Sequence, residues 1–349
     1  MSKPRSSRLA RAPFGRGVLA ALALAGAVVL AGCGTKQDTI SPSATKRFTV
    51  MLDFFPNADH AALYSAIAHG DFRAVGLDVQ PLAPADPAEP LKLLAAGRVD
   101  MAISYEPELL LARDQGLKLV SIGALVQRPL TSIIALPGKH VTHVRDLARK
   151  RVGTAGIAYQ TAELRTALQI NGVNPSSVRE INVGFNLVPA MLSGRVDATI
   201  GGFWNYEAIQ LRLLHKRPLV IPVDQAGVPT YDELVLTVRE DEAHTRGQDL
   251  RAFLQALTRG EREVRANPTA ATRLLTGANP SLDGKLQLES ITQTLPAEQP
   301  ADASKPFGWQ DPSAWATFGG WMFSKGLLGH NPNGGLPPLT NEFLPGQGL

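Results

Sequence analysis

Two short segments of this 349-residue chain concentrate aromatic rings and carboxylates: Ser104-Tyr105-Glu106-Pro107-Glu108 and Phe203-Trp204-Asn205-Tyr206-Glu207. Ring faces hold flat ligands. A carboxylate can accept two parallel hydrogen bonds from an edge that carries two donors. A third segment, Phe54-Phe55-Pro56-Asn57 with His60 close behind, adds two rings, an amide and an imidazole. Phe54 and Phe55 alternate, so one of them is expected to point into the core. Catalytic machinery is not legible. The sequence has no glycine-rich dinucleotide or phosphate loop, no His-Glu-x-x-His zinc pattern and no Gly-x-Ser-x-Gly elbow. No cofactor and no metal are expected. His140 and His143 read as surface residues.

The elements that must position these side chains follow from an internal echo. Gly-Arg-Val-Asp occurs at 97–100 and again at 194–197. Each copy reads as a helix end, a glycine cap and a buried strand that runs into one of the two aromatic and acidic loops. Asp100 and Asp197 are expected to cap or pair structurally. Alternating strands at 47–52 and 77–82, with helical spacing at 62–68 between them, indicate an α/β fold with mainly parallel sheets. Ligands of such sheets sit beyond the carboxyl ends of strands. Two equivalent ends imply a ligand held between two lobes. The apolar strands 132–136 and 234–238 read as crossings between lobes. That gives a first lobe of 47–136 plus 233–349, an inserted second lobe of 137–232, and a two-strand hinge that permits closure. Trp315, Phe318 and Met322 share one helical face and read as core packing, and the Gly- and Pro-rich tail from 329 reads as irregular. Gly153-Thr154-Ala155-Gly156 reads as a structural turn, with an anion site at a helix start as the weaker alternative.

Cys33 is the sole cysteine. It closes Leu30-Ala31-Gly32-Cys33, after the apolar run Val18–Leu30 and five basic residues with no acidic one. A basic head, a short apolar stretch and small residues describe a secretory signal, and the run is shorter than the roughly 20 residues that span a bilayer. The tetrad resembles a bacterial lipobox, which implies cleavage after residue 32, lipid on Cys33 and a polar tether over 33–46. The five basic residues ahead of Cys33 exceed the whole chain's formal charge of +4. The remainder is close to neutral and has no electrostatic footprint for nucleic acid. With Cys33 lipidated, no thiol is left for disulfides or catalysis.

Several stretches resemble one family: Leu52-Asp53-Phe54-Phe55-Pro56-Asn57-Ala58-Asp59-His60, Gly70–Val79, Ile103–Glu108, Leu125–Ile133, Val183–Val188 and Gly201-Gly202-Phe203-Trp204-Asn205-Tyr206-Glu207. Together they are similar to ABC-transporter solute-binding proteins related to the thiamine-pyrimidine synthases, the binders of formylaminopyrimidine above all. The resemblance implies a two-lobed periplasmic-binding-protein type II architecture. It also implies an ABC permease and ATPase as partners and a monomer tethered at the outer face of a membrane. It implies Phe54, Phe55, Tyr105, Trp204 and Tyr206 as candidate ring contacts, with Trp204 first, and gives Glu207, then Glu106, the amine edge of the pyrimidine. Asn57 and His60 would take the polar substituent, and Asn186, at a strand end of the inserted lobe, would face the cleft. Riboflavin or an aliphatic sulfonate is the alternative ligand. The eukaryotic relatives are enzymes that consume their own histidine, with which His60 aligns, but they carry a cysteine-rich motif that is absent here.

Overall fold

A computed structural model describes residues 45–348. Cys33, the signal and nearly all of the tether lie outside them. Ten strands form two five-stranded sheets. In the first, β1 (Lys46–Met51), β2 (Leu77–Leu82), β3 (Met101–Ser104), β4 (Leu119–Val126) and β10 (Leu234–Arg239) take the order β2-β1-β3-β10-β4. The second holds β5 (Thr131–Ala135), β6 (Arg151–Thr154), β7 (Arg179–Asn182), β8 (Ala198–Phe203) and β9 (Leu219–Pro222) in the order β7-β6-β8-β5-β9. The two orders are one pattern. A central parallel strand is flanked by two parallel neighbours, then one antiparallel strand (β10 or β5) pairs onward to the edge.

The Gly-Arg-Val-Asp echo marks the same corner of each sheet. Gly97 and Gly194 end their helices at φ +67° and +72°, a left-handed turn that favours glycine. Three residues on, the aspartate ties the strand to its neighbour. Asp100 Oδ2 accepts the Thr49 N–H at 2.7 Å, and Asp197 Oδ2 accepts the Arg151 N–H at 3.0 Å. Arg246 pairs with Asp100, while Arg151 and Lys139 pair with Asp197. Both aspartates are structural.

The crossing between sheets differs from the sequence reading. Strand β5 pairs only with β8 and β9 of the second sheet, so the chain passes over at 127–130, ahead of that strand. The return passes through 223–233 into β10. The helix Pro312–Ser324 also departs from a simple two-part division. Trp315 packs with the core of the first sheet, whereas Phe318 and Met322 pack with that of the second, the Phe318 ring lying 5.0 Å from Tyr231. All three are buried, as a core stripe should be. The tail is less irregular than its composition suggests. Thr340 N–H and the Pro338 carbonyl bond to Ser121 of β4, and Phe343 and Leu344 are buried.

Candidate functional site

The carboxyl ends of parallel strands of both sheets meet at one small, narrow cavity. From the first sheet come Asp53 and Phe54, just past β1, then Asn57, and Tyr105 just past β3. The second sheet supplies Ala155 and Ile157 past β6, Gln160, Gly201 and Phe203 of β8, and Tyr206 and Glu207 past β8.

Local sequence explains each placement. β1 ends at Met51, and Asn57 turns the chain into a short helical turn by accepting the Asp59 N–H on Oδ1 at 2.8 Å. Asn57 N–H in turn donates to His60 Nδ1 at 3.2 Å. That leaves His60 Nε2 as the protonated nitrogen, which donates to Asp53 Oδ1 at 2.8 Å. Tyr105 donates its hydroxyl to Asp53 Oδ2, also at 2.8 Å. Asp53 is thus clamped between a histidine behind it and a tyrosine beside it. Glu207 opens the helix Glu207–Leu213 and folds back to accept the Phe203 N–H at 2.7 Å. Burial pushes its pKa up to about 7 against the pull of that hydrogen bond, and nearby Asp59 and Asp53 add to the rise.

The profile of the NMT1/THI5-like family matches residues 57–271, well over half of the chain. The chain belongs to the NMT1/THI5-like family. It is 36% identical over 298 residues to the formylaminopyrimidine-binding protein of Halalkalibacterium halodurans, a match that covers 84% of this chain and 89% of the relative. A Legionella pneumophila 4-amino-5-hydroxymethyl-2-methylpyrimidine phosphate synthase is 26% identical over 257 residues, covering 73% and 80%. Among solved structures, the alkanesulfonate-binding protein of Xanthomonas axonopodis pv. citri superposes with a TM-score of 0.65 at 15% identity, over 82% of this chain and 95% of that one. This NMT1/THI5-like chain therefore has the two-lobed periplasmic-binding-protein type II fold, and its relatives support a solute-binding role.

Of the ten candidates, the structure gathers Phe54, Asn57, Tyr105, Tyr206 and Glu207 around the cavity. The other five sit elsewhere. Phe55 packs behind the wall, its ring 6.0 Å from Tyr206 and 4.6 Å from Phe54. His60 is fully buried with both ring nitrogens committed. Trp204 is turned away, donating its indole N–H to the Pro129 carbonyl at 2.9 Å. Asn186 is exposed at the start of the helix Leu187–Leu192. Glu106 holds the same helix-opening position in the first sheet as Glu207 in the second, yet its carboxylate accepts the Asp232 N–H at 2.7 Å and faces away from this cavity.

Sequence reasoning missed Asp53, Gln160, Phe185 and Phe203, the last a ring at the end of β8 that lines the cavity. Asp53 lies inside a quoted motif, and its signal is an acid between Leu52 and Phe54 at a strand end. Gln160 lines the cavity, with Oε1 accepting the Ala155 N–H at 2.8 Å. Phe185 caps Phe54 edge-on at 4.6 Å from across the cleft. The same cleft is latched by polar contacts. Asn205 Nδ2 donates to Asp59 Oδ1 at 2.7 Å and to Thr294 Oγ1 at 2.6 Å, and Gln287 donates to the Tyr206 hydroxyl at 3.1 Å. The segment read as a turn at 153–156 is instead the end of β6 and the two residues after it, where Gly156 N–H is directed at Thr154 Oγ1 and Ala155 N–H at Gln160 Oε1. Among the described residues there is no cluster of three metal-ligating side chains, and no helix is long and apolar enough to cross a membrane.

Proposed function

We propose that this protein is the extracytoplasmic solute-binding component of an ABC importer and that it captures a thiamine pyrimidine precursor of the formylaminopyrimidine type. The observation that carries this reading is a cavity walled by Phe54, Tyr105, Phe203 and Tyr206 that presents two buried carboxylates, Asp53 and Glu207. An aminopyrimidine is flat and offers an amine beside a ring nitrogen. Its face suits the rings, and its donor edge suits Glu207. Tyr105 and Asn57 then meet the polar substituent, with Asp53 fixing the Tyr105 hydroxyl. On this reading Trp204 supports the loop through Pro129 and does not stack on the ligand.

Two carboxylates are a poor lining for a sulfonate, because like charges in a dry site repel strongly. The N–H groups of Ala155 and Gly156, which could have received an anion, are already taken within the chain. For the synthase reading, His60 would have to be the reacting group, and it is enclosed with both nitrogens bonded. The lipobox at Cys33 supports tethering of the mature protein at the outer membrane face, where a permease and ATPase would receive its ligand.

Isothermal titration with formylaminopyrimidine, alongside thiamine, riboflavin and taurine, tests the proposal. One-to-one binding of the pyrimidine alone upholds it. Heat from another ligand and none from the pyrimidine would keep a binding protein and discard this substrate.

A further inference from the structure

A second cavity, of about 870 Å³ counting its open mouth, lies on the hinge and away from the cleft. Both crossing segments contribute to it: Gln127 and Arg128 from one, and Thr230, Tyr231 and Asp232 from the other. Its rings are Tyr231, Trp309 and Trp315, and its acids are Glu106, Asp232, Asp302 and Asp311. Glu106 is 1% exposed. Its Oε2 takes the Asp232 N–H at 2.7 Å, and its Oε1 has no hydrogen-bond partner among the described residues. Asp232 is nearly as buried, with Oδ2 held by the Trp315 indole N–H at 2.7 Å.

An unpaired carboxylate oxygen beside a second buried acid lacks a counter-charge. The cations nearby are placed otherwise. Among the described residues Arg128 lines the cavity without an ion pair to either acid, and Lys305 Nζ lies over one face of the Trp309 ring, 4.4 Å from its centre. We propose that this hinge cavity is a second binding site, for a flat organic cation with N–H donors such as an amidinium or guanidinium group, seated against the Trp309 ring with its donors on Glu106 and Asp232. Cations over an indole face are held by the ring quadrupole, and amidinium-type groups fit carboxylates through two parallel bonds. Burial raises the pKa of both acids, with Asp232 at about 7. A bound cation favours the ionised form of both acids and so lowers their proton affinity.

The probe is benzamidinium, titrated into the full chain by tryptophan fluorescence and calorimetry, with neutral benzamide as its partner. The expected result is saturable one-to-one binding of benzamidinium and none of benzamide. Affinity falls about tenfold or more in Glu106→Gln and also falls in Trp309→Leu, while Glu207→Gln leaves it unchanged. Trp309 is partly exposed, so its variant decides the matter if Glu106→Gln unfolds. No binding at millimolar benzamidinium overturns the proposal. Equal binding of benzamide, or binding that only Glu207→Gln weakens, does so too, because the first shows an uncharged pocket and the second places the probe in the cleft.

Discussion

Glu233 and Thr131 tie the two crossing segments of the hinge together. Glu233, on the return segment, accepts the Thr131 N–H at 2.9 Å and the Thr131 hydroxyl at 2.8 Å, and the neighbouring Leu130 N–H at 2.6 Å. Thr131 begins β5 and Leu130 ends the outward crossing. The tyrosines Tyr159 and Tyr231 direct their hydroxyls at the same carboxylate from 3.3 Å. One fully buried acid therefore fixes how the two sheets are joined.

Glu233→Gln places an amide N–H₂ where only acceptors are wanted. A buried donor facing donors costs about 1–3 kcal/mol, and chemical denaturation should show that loss. Burial pushes the Glu233 pKa up to about 7. The stability gained from its bound proton is full below the ordinary carboxylate range and is lost as pH rises through 7. The wild-type advantage over the variant should therefore be largest below about pH 5 and shrink as pH rises to about 7, and a difference that is flat with pH would contradict the assignment.

Glu207→Gln should weaken binding of the pyrimidine by about 1.5–3 kcal/mol, the range for hydrogen bonds to a charged group. The pH profile is the sharper test. The carboxylate and the ring nitrogen share one proton in the complex. Above about 7, where free Glu207 has lost its proton, binding must take one up. Affinity should then fall by up to tenfold per pH unit above that point, and the fall should vanish in the variant. A wild-type profile that is flat from pH 7 to 9 would remove the shared proton.

Much of this architecture was legible because repetition and periodicity are local properties. The strands at 77–82 and 234–238 and the helix near 62–68 sit within a residue or so of β2, β10 and the helix Ala61–His69. Gly97 and Gly194 could be read as caps from their spacing alone. The lobe boundary was not legible, because an apolar strand such as β5 looks the same whether it crosses between sheets or pairs within one. The site was half legible. Trp204 and Glu106 have the right residue types in the right loops, but their directions depend on the Pro129 carbonyl and the Asp232 N–H, far away in sequence. Asp53 is not legible as a site residue from sequence, because an acid in an apolar motif shows its role only through the bonds from His60 and Tyr105.

Asn205 is the polar latch across the cleft. Asn205→Ala removes two donated hydrogen bonds and leaves Asp59, a buried acid whose pKa burial raises to about 6, without the shorter of its two side-chain hydrogen bonds across to Asn205 and Thr294. Losing such a contact costs about 1–3 kcal/mol, and here the loss falls on the closed arrangement. Small-angle scattering should show a larger radius of gyration, and the pyrimidine should bind at least about fivefold more weakly. Unchanged scattering together with unchanged affinity would show that the ring contacts alone hold the cleft shut.

Gly260→Ala should destabilise the fold and loosen the site with it. The helix Gly247–Ala266 crosses Ala61–His69 at Gly260, where an added Cβ would lie 2.9 Å from the Ala66 Cβ and closer still to the Ala62 carbonyl oxygen. Alanine is favoured over glycine in a helix by about 1 kcal/mol. Overpacking a tight contact costs about 1–3 kcal/mol, and the upper end applies because backbone on the facing helix must move. Sterics should therefore win, and unfolding free energy should drop. The helix that must shift starts one residue after His60, which holds Asp53 from behind. A displacement there disturbs the Asp53–Tyr105 pair, so ligand affinity should fall along with stability. Gly260→Ala with wild-type stability would mean that the two helices separate without strain, and that Asp53 does not depend on their contact.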